Sequence, residues 1–395
     1  MEVSEILALL PDGLLDDLAV ETKVNRYSKK LQGQLMFKLL LYCILSYKDN
    51  SLRMMECAYE SAGFKLLNAQ LPRGSIHYSS LSERLNGMDA AYFEKLYQAC
   101  LTIYSDKTEV ASPPAQEETI TRFDSTIVSL SARLLTTGYH LKGGDADHVR
   151  QLKFTIGLDD LPRSARLFTD HKYTSENAAL REVILSSLNR HEPDTIKIFD
   201  KGITSRKTYD ELTGKGVRFI SRLGKQSKQR EHQPHSSLPE PVSTSTLTIL
   251  SDSWSYLFSM SKKESEHPVR LIRAVKKGDG EELLFVTNID NLPAAAITEL
   301  YKRRWDIEVF FKFLKQELNF SHLINRSENG IKIMLYAMMI ASVLLLVYKK
   351  TNRLKGYKIM KHRFLNSLET ALLKDFVALC GGDANQVHIL LKPPL

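Results

Sequence analysis

Residues 152–200 carry the pattern that decides the fold, because short apolar runs alternate there with one amphipathic segment. The segments are LKFTIGL at 152–158, ARLFT at 165–169, SENAALREVILSSLNRH at 175–191 and IKIFD at 196–200. Short runs rich in Ile, Val, Phe and Thr are typical of strands, whereas the apolar spacing of the third segment is typical of a helix. A strand–helix–strand unit of this kind predicts an α/β fold, with a mixed sheet flanked by helices.

Further strand-like runs lie on both sides of this unit. ITRFDSTIVSL at 120–130 precedes it and VRFISRL at 217–223 follows it. Residues 224–282 are polar at first and then contain several strand-like runs, which predicts a small β-rich insertion. LLFVTN at 283–288 then returns to the main sheet.

The two ends of the chain are predicted to be helical, and VASPPAQEE at 110–118 has the composition of a linker. The predicted division is a helical N-terminal domain, a first core segment, the insertion, a second core segment and a helical C-terminal region. Their bounds are 1–112, 113–223, 224–282, 283–350 and 351–395.

The charge balance is mildly basic. Lys and Arg total 54, Asp and Glu total 46, and the formal net charge is +8. Such an excess fits many soluble proteins, and it also fits a protein that neutralises DNA phosphates, because released counterions favour binding. The four cysteines form no CxxC pair, which indicates a reduced chain and no zinc site.

No segment has the pattern of a signal peptide or a clear membrane span. The N-terminus lacks a basic region before its apolar residues. The longest apolar stretch, at 333–348, is shorter than the ~20 residues that a span needs. A buried helix is the preferred interpretation, and a membrane-spanning helix is the alternative.

Three acids have settings that suggest catalysis. Asp124 lies inside a strand, Asp200 ends the apolar strand IKIF, and Glu308 belongs to the predicted helix 300–318. A carboxylate at a strand end projects into the crevice where ligands bind, and one inside an apolar strand is costly unless it is paired or bound to metal. Alternatively, Asp124 is a turn or bulge residue and Asp200 is a helix N-cap.

The predicted helix 300–318 also carries Tyr301, Arg304 and Lys315 on the face of Glu308. At ~100° per residue, the four side chains fall within roughly 60° of one another. The Arg and Lys side chains could hold phosphates on either side of the carboxylate. The alternative is a solvated face with helpful ion pairs.

These four residues match Y-x2-R-x3-E-x6-K at every position, and the chain therefore resembles the insertion-sequence-four family of bacterial DDE transposases, the Tn-five-like group. FDST around Asp124 is similar to the first acidic motif of that family. FDKGITS around Asp200 is similar to the second, with Ile203 in place of an aromatic residue. The resemblance spans approximately residues 115 to 350.

The resemblance implies a ribonuclease H-like fold in which Asp124, Asp200 and Glu308 form the catalytic triad. They would bind two Mg²⁺ ions, with Mn²⁺ as a substitute. The reaction would be strand cleavage by metal-activated water, followed by attack of the 3′-OH on target DNA. The expected partners are double-stranded DNA, both the terminal inverted repeats and the target, and a second copy of the chain on that DNA. A cytoplasmic, nucleoid-associated protein without membrane contact is expected.

Further DNA contacts are predicted for the basic residues after the second motif and for one tryptophan. Lys201, Arg206 and Lys207 begin the densest positive stretch, which suits phosphate contacts or is simply a solvated surface. Trp254 could stack on a flipped base, as in relatives that form hairpins, or could pack in a β core. Trp305 is expected to pack beside the Glu308 helix.

Two other functions remain open at the level of the sequence. One is a ribonuclease H-like nuclease that does not transfer strands. The other is a non-enzymatic DNA-binding regulator or remnant. The presence of Tyr301, Arg304 and Lys315 favours transposition over the first, and the three intact acids favour an active enzyme over the second.

Overall fold

The computed structural model describes residues 2–68, 74–109, 118–130, 139–140, 150–188, 195–224, 227–235, 241–259, 262–320, 323–325 and 327–387. The chain divides into two compact units. The helical unit contains Met1–Ser112, Leu130–Thr137 and Lys312–Leu395, and the sheet unit contains Pro113–Ser129 and Gly138–Phe311. The predicted linker at 110–118 lies, apart from its last residue, outside the described residues.

The described secondary structure consists of thirteen α-helices, eleven strands and two 3₁₀ helices, His171–Tyr173 and Ala384–Gln386. The helices are α1 Val3–Ala8, α2 Asp12–Glu21, α3 Gly33–Ser46, α4 Leu52–Glu60, α5 Ala62–Leu67, α6 Tyr78–Gly87, α7 Ala91–Glu109, α8 Glu176–Ser187, α9 Arg206–Gly214, α10 Ala294–Lys302, α11 Trp305–Glu317, α12 Glu328–Thr351 and α13 Tyr357–Leu379. The strands are β1 Ile120–Leu130, β2 Tyr139–His140, β3 Arg150–Leu158, β4 Ser164–Phe168, β5 Ile196–Phe199, β6 Phe219–Leu223, β7 Gln229–Pro234, β8 Val242–Ser243, β9 Leu247–Leu257, β10 Val269–Lys276 and β11 Glu282–Thr287.

α12 forms the core of the helical unit. The Ser327 side chain caps its first turn by accepting the N–H of Gly330 at 2.9 Å. The helix is long and apolar enough to cross a membrane, but 89% of its most apolar window is buried inside the protein. Helices α3, α7 and α13 pack against it. The prediction of a buried helix is therefore confirmed.

The sheet unit is built on one mixed sheet of eleven strands. The order is β2-β3-β1-β5-β6-β11-β10-β9-β7, with β4 paired to β3 and β8 paired to β9. β5 is parallel to both of its neighbours, β1 and β6, whereas β11, β10 and β9 continue the sheet in antiparallel pairs. The predicted α/β fold, a mixed sheet with flanking helices, is confirmed.

Helices cover both faces of this sheet because side chains alternate along each strand. Phe123 and Phe199 pack into an apolar cluster with residues of α8 and α9. Ile120, Ile196 and Ile198 pack into a second cluster with residues of α10. The even-numbered positions of β1 and β5 therefore face α10.

The strands of residues 224–282 extend the same sheet rather than forming a separate layer. β10 pairs with β11, and β9 pairs with β10, over nearly their full lengths. A buried ion pair links these two strands, with Arg270 Nη2 at 2.6 Å from Asp252 Oδ2. Arg270 Nη1 also donates to the Ile289 carbonyl at 3.0 Å. The bidentate pair fixes the register between β9 and β10.

Candidate active site

Asp124 and Asp200 lie at the same level of two neighbouring parallel strands, Asp124 inside β1 and Asp200 directly after β5. The register of β1 and β5 places Phe123 opposite Phe199. The next residue on each strand is an aspartate, so the two carboxylates are neighbours and face the α10 side of the sheet. The register of these two strands thus brings together two of the three predicted acids.

The interpretations of Asp124 as a turn residue and of Asp200 as a helix N-cap are wrong. Asp124 lies inside β1 rather than in a turn. Asp200 Oδ1 accepts the N–H of Gly202 at 2.7 Å, within the turn after β5. The following helix begins only at Arg206, and its N-cap is Ser205. Asp200 therefore does not cap a helix.

Asp124 is held in a half-buried, acidic environment. Its pKa is raised to about 7, mainly by burial and also by the nearby charges of Asp200 and Glu176. The N–H of Ser125, which donates to Asp124 Oδ1 at 2.8 Å, and the charge of Arg304 act in the opposite direction. The positive charge of Arg304 therefore only partly offsets the cost of ionising Asp124, a condition that favours binding of a cation.

Arg304 joins Asp124 to Glu308. Its Nη1 lies 3.9 Å from Asp124 Oδ2, and its Nη2 donates to Glu308 Oε1. Arg304 thus contacts two of the three predicted acids, Asp124 and Glu308. The third acid, Asp200, lies beside Asp124 on the neighbouring strand. Among the described residues, no three His, Cys, Asp or Glu side chains are already arranged around a point that could hold a metal ion. Carboxylate oxygens are nevertheless the ligands that Mg²⁺ and Mn²⁺ prefer.

The prediction of one continuous helix over 300–318 is wrong. α10 ends at Lys302, and α11 begins at Trp305. The N–H of Arg304 donates to the Tyr301 carbonyl at 2.9 Å, three residues back, which tightens the chain in the manner of a 3₁₀ turn. Tyr301 is therefore on α10, and Arg304 lies in the turn. Glu308 and Lys315 remain on α11.

Arg122 explains where this turn forms. Its Nε donates to the Arg303 carbonyl at 2.9 Å, and its Nη2 pairs with Asp306 Oδ2 at 3.0 Å. Its Nη1 donates to the Asp159 carbonyl at 3.1 Å. The side chain is only 6% exposed, so it anchors the junction of α10 and α11 on β1. Sequence reasoning missed Arg122, although a charge inside an apolar strand, two residues before Asp124, was a usable signal.

Glu176 is a fourth carboxylate beside these acids. It is the first residue of α8. A Cβ on Gly202 would overlap Glu176 Oε2 and would lie 2.7 Å from Asp200 Oδ1. Burial and the charge of Asp200 raise the pKa of Glu176, whereas Lys153 lowers it. Sequence reasoning missed this residue because acids are common in the first turn of any helix.

A basic groove of about 830 Å³ lies beside the turn between α10 and α11. Tyr301, Arg304 and Trp305 line it together with cationic side chains: Arg222, Lys276, Lys277 and Lys302. Trp305 is 62% exposed, so the prediction that it packs beside the helix is wrong. The helix restarts at this residue, which leaves the indole at the helix end instead of in the core.

A second basic cavity, of about 590 Å³, is lined in part by the residues that follow Asp200 in the chain. Lys201 and Arg206 line it, and so do Lys228 and Lys262. Lys207 is exposed and is not among the described residues that line either cavity.

The remaining predicted DNA contacts lie elsewhere. Trp254 is half-buried on β9, with its ring centroid 6.1 Å from that of His235. Lys315 is exposed, in the part of α11 that belongs to the helical unit.

Residues 115–344 match the family described as "Transposase DDE domain". A protein of Sinorhizobium fredii, named as the transposase y4zB, is 37% identical over 135 residues, or 34% of this chain and 35% of that protein. A Synechocystis protein, named as the transposase for insertion sequence element IS4SA, is 24% identical over 317 residues, or 76% of this chain and 78% of the relative. A solved piggyBac transposase synaptic complex with hairpin DNA aligns with 95% of this chain and 82% of its own, at 10% identity and a TM-score of 0.46, which is too weak to support an argument.

Proposed function

Because the chain belongs to the transposase DDE domain family, we propose that it cuts the ends of its insertion sequence and joins the 3′-OH to target DNA, with Asp124, Asp200 and Glu308 as the catalytic acids. The family match and the insertion-sequence relative confirm the assignment to this class of transposase. The observation that carries the proposed site is the adjacency of two aspartates on neighbouring parallel strands, with Arg304 joining one of them to the helix glutamate.

The three acids would hold two divalent cations, Mg²⁺ or Mn²⁺. Two such ions would stabilise the attacking and leaving oxygens of a phosphodiester. The acids supply hard oxygen ligands in a half-buried setting where positive charge is scarce. Arg304 would release Glu308 as positive charge is supplied at Asp124, and its guanidinium would then be free to hold a DNA phosphate.

Tyr301, Arg304 and Lys315 would contact the end of the insertion sequence. The first two line the basic groove, where a phosphodiester backbone would meet cations and a phenol. The exposed indole of Trp305 offers a face on which an unpaired base could stack. Lys315 would act from the exposed side of α11, two turns beyond Glu308.

Lys201 and Arg206 would position DNA through the second basic cavity, without reading its sequence. Lys207 would add a phosphate contact from the exposed surface. Trp254, half-buried on β9, would serve as a base-stacking platform. These contacts fit double-stranded DNA partners, namely terminal inverted repeats and target.

Pairing of two ends requires two copies of the chain on DNA. Residues 1–112 would bind the end sequence, and the C-terminal region 351–395 would contact the second copy. α13 supports this role because Leu373, Phe376 and Leu379 are each about half or more exposed. Apolar side chains at three-residue spacing share one helix face.

A cleavage and joining assay tests the proposed function. Duplexes that carry the inverted repeat are incubated with Mg²⁺ and a target plasmid. We expect nicking at the repeat end and joined products. Asp124→Asn, Asp200→Asn and Glu308→Gln should each lower the nicking rate by a factor of at least about 100, as expected for loss of one of several groups that act as a unit. The exposed Asp160→Asn is the matched control and should cut normally.

Each other outcome supports a different function. Nicking without joining would indicate a nuclease that does not transfer strands. Binding of the repeat without cutting would indicate a DNA-binding remnant. Cutting that persists in the three acid variants with chelator present would contradict the metal mechanism.

A further inference from the structure

We propose that Glu176 is a fourth carboxylate of the active site and strengthens divalent-cation binding beside Asp200. This inference rests on the proposed function, because it assumes that Asp124, Asp200 and Glu308 bind the cation. It goes beyond the three motifs, since Glu176 belongs to none of them. The helix that carries it lies between the first and second motifs in the chain.

The position of Glu176 depends on a glycine. A Cβ at position 202 would overlap Glu176 Oε2, because the two atoms would be closer than any non-bonded contact allows. Only the missing Cβ of Gly202 lets the carboxylate approach the turn that holds Asp200. The charge of Glu176 raises the pKa of Asp124, and the charge of Asp200 raises the pKa of Glu176, so Glu176 lies close to both aspartates.

The Glu176 carboxylate is not needed to hold the start of α8 in place, because the neighbouring Asn177 does so. Asn177 Oδ1 accepts the N–H groups of Thr204 and Ser205, at 2.7 and 3.0 Å, and Asn177 Nδ2 donates to Thr204 Oγ1 at 2.8 Å. These three bonds tie the start of α8 to the turn after Asp200. The backbone of Glu176 is therefore fixed without any contribution from its own side chain.

The Glu176 carboxylate itself makes no hydrogen bond or ion pair with another side chain or backbone group in the part of the chain that the structure describes. Lys153, the cation that influences its pKa, instead donates its ammonium to the Thr174 carbonyl. A half-buried carboxylate with no donor, beside two other acids, is unfavourable unless a cation compensates it. A bound divalent ion would supply that compensation directly or through its water ligands.

Mn²⁺ binding to the full-length protein without DNA tests this role. Free Mn²⁺ is measured by electron paramagnetic resonance during titration of wild type, Glu176→Gln, Asp200→Asn and Glu182→Gln. Glu182 lies on the same helix and pairs with Arg166 at 2.8 Å, away from the acids, so it is the matched control. We expect Glu176→Gln to weaken Mn²⁺ binding about 10-fold, the lower end of the loss seen when an outer contact of a metal site is removed. Glu182→Gln should bind as wild type does.

Metal dependence of nicking and thermal unfolding provide two further readouts. In Glu176→Gln, the Mg²⁺ concentration for half-maximal nicking should rise, and saturating Mg²⁺ should restore most of the rate. The melting temperature without metal should not fall, because Asn177 keeps the helix start in place. A lower melting temperature with unchanged Mn²⁺ affinity would show a purely structural role and overturn the proposal.

The Asp200 variant separates this inference from the proposed function. Loss of Mn²⁺ binding in Asp200→Asn but not in Glu176→Gln would overturn the role of Glu176 and leave the triad intact. Equal Mn²⁺ binding by wild type and Asp200→Asn would contradict the proposed metal site. It would also overturn the role of Glu176, because that role assumes the site.

Discussion

At the scale of single residues, the site combines several carboxylates with few cations. Asp124, Asp200 and Glu176 influence one another, and Arg304 is the guanidinium that lies among the triad acids. Repulsion between half-buried carboxylates destabilises the folded state whenever they are ionised. The same repulsion is relieved by a divalent cation, so the charge pattern that weakens the protein alone favours the bound state.

Asp124→Asn should therefore stabilise the protein in the absence of metal. The folded-state pKa of Asp124 is raised to about 7, so ionisation opposes folding and stability falls as pH rises from about 4 through 7. At pH 8 we expect the Asn variant to be more stable by on the order of 2–4 kcal/mol, and the advantage should shrink towards pH 5. Urea unfolding at several pH values measures this difference.

Asp160→Asn provides the comparison for that experiment, because Asp160 is exposed in the turn after β3. The free energy of unfolding of Asp160→Asn should change with pH in the same way as that of wild type. Added Mn²⁺ should stabilise wild type and leave Asp124→Asn nearly unchanged. A constant difference between Asp124→Asn and wild type from pH 5 to pH 8 would show that the Asp124 carboxyl is not perturbed.

At the scale of elements, the break between α10 and α11 places the groups of the signature. Tyr301 and Glu308 are on different helices, and Arg304 reaches Asp124 from the turn between them. The turn is held by Arg122, which binds the carbonyl of Arg303 and the carboxylate of Asp306. In a continuous helix, the side chains of Arg304 and Glu308 would be placed differently relative to Asp124 and Asp200.

Arg122→Ala should damage both the fold and the site. It removes a buried guanidinium and leaves the Arg303 carbonyl without its donor, a loss of about 3 kcal/mol in the free energy of unfolding. Arg122→Lys keeps the charge but not the forked geometry, so it should restore stability in part and nicking only weakly. Urea unfolding and the end-nicking assay measure the two effects.

Arg166→Ala is the control for Arg122→Ala, because its exposed pair with Glu182 should contribute less than about 1 kcal/mol. If Arg122→Lys nicked DNA at the wild-type rate, the forked anchor would not be what positions Arg304 and Glu308. The position of the turn would then have another cause.

The sequence predicted those elements that depend on local pattern. β1 and β5 follow from apolar runs, and the strand settings of Asp124 and Asp200 marked both residues as candidate site acids. The helix break does not, because Arg122 and Arg303 are 181 residues apart in the chain. Glu176 was hidden for the same reason, since only the packing of α8 on the turn after β5 brings it to Asp200. The exposure of Trp305 depends on the same helix break, so the sequence did not predict it either.

At the scale of the whole molecule, each unit has its own core. The helical unit is organised around α12, and the sheet unit is organised around eleven hydrogen-bonded strands. The sequence predicted the β-rich insertion but not that its strands would continue the main sheet, because strand pairing depends on register across distant segments.

Phe376→Asp should weaken pairing of two chains on DNA without unfolding the protein. Phe376 is 51% exposed on α13, so the substitution should change the free energy of unfolding by less than about 0.5 kcal/mol. With end DNA present, light scattering after gel filtration should show a dimer for wild type and a monomer on DNA for the variant. Asp375→Asn, on an adjacent face of α13, should remain dimeric.

An undiminished dimer in Phe376→Asp would exclude the apolar face of α13 as the contact between copies. A variant that lost its cooperative unfolding would instead show that Phe376 supports the helical unit. The same scattering experiment without DNA would tell whether the two copies pair before they bind an end.

The most direct measurement is anomalous diffraction from crystals of the protein bound to its end DNA and soaked with Mn²⁺. The expected result is Mn²⁺ beside the phosphodiester at the repeat end, with oxygen ligands from Asp124, Asp200 and Glu308. The contrary result would be Mn²⁺ absent from these acids while the DNA end is in place, with Glu308 still held by Arg304 and distant from Asp200.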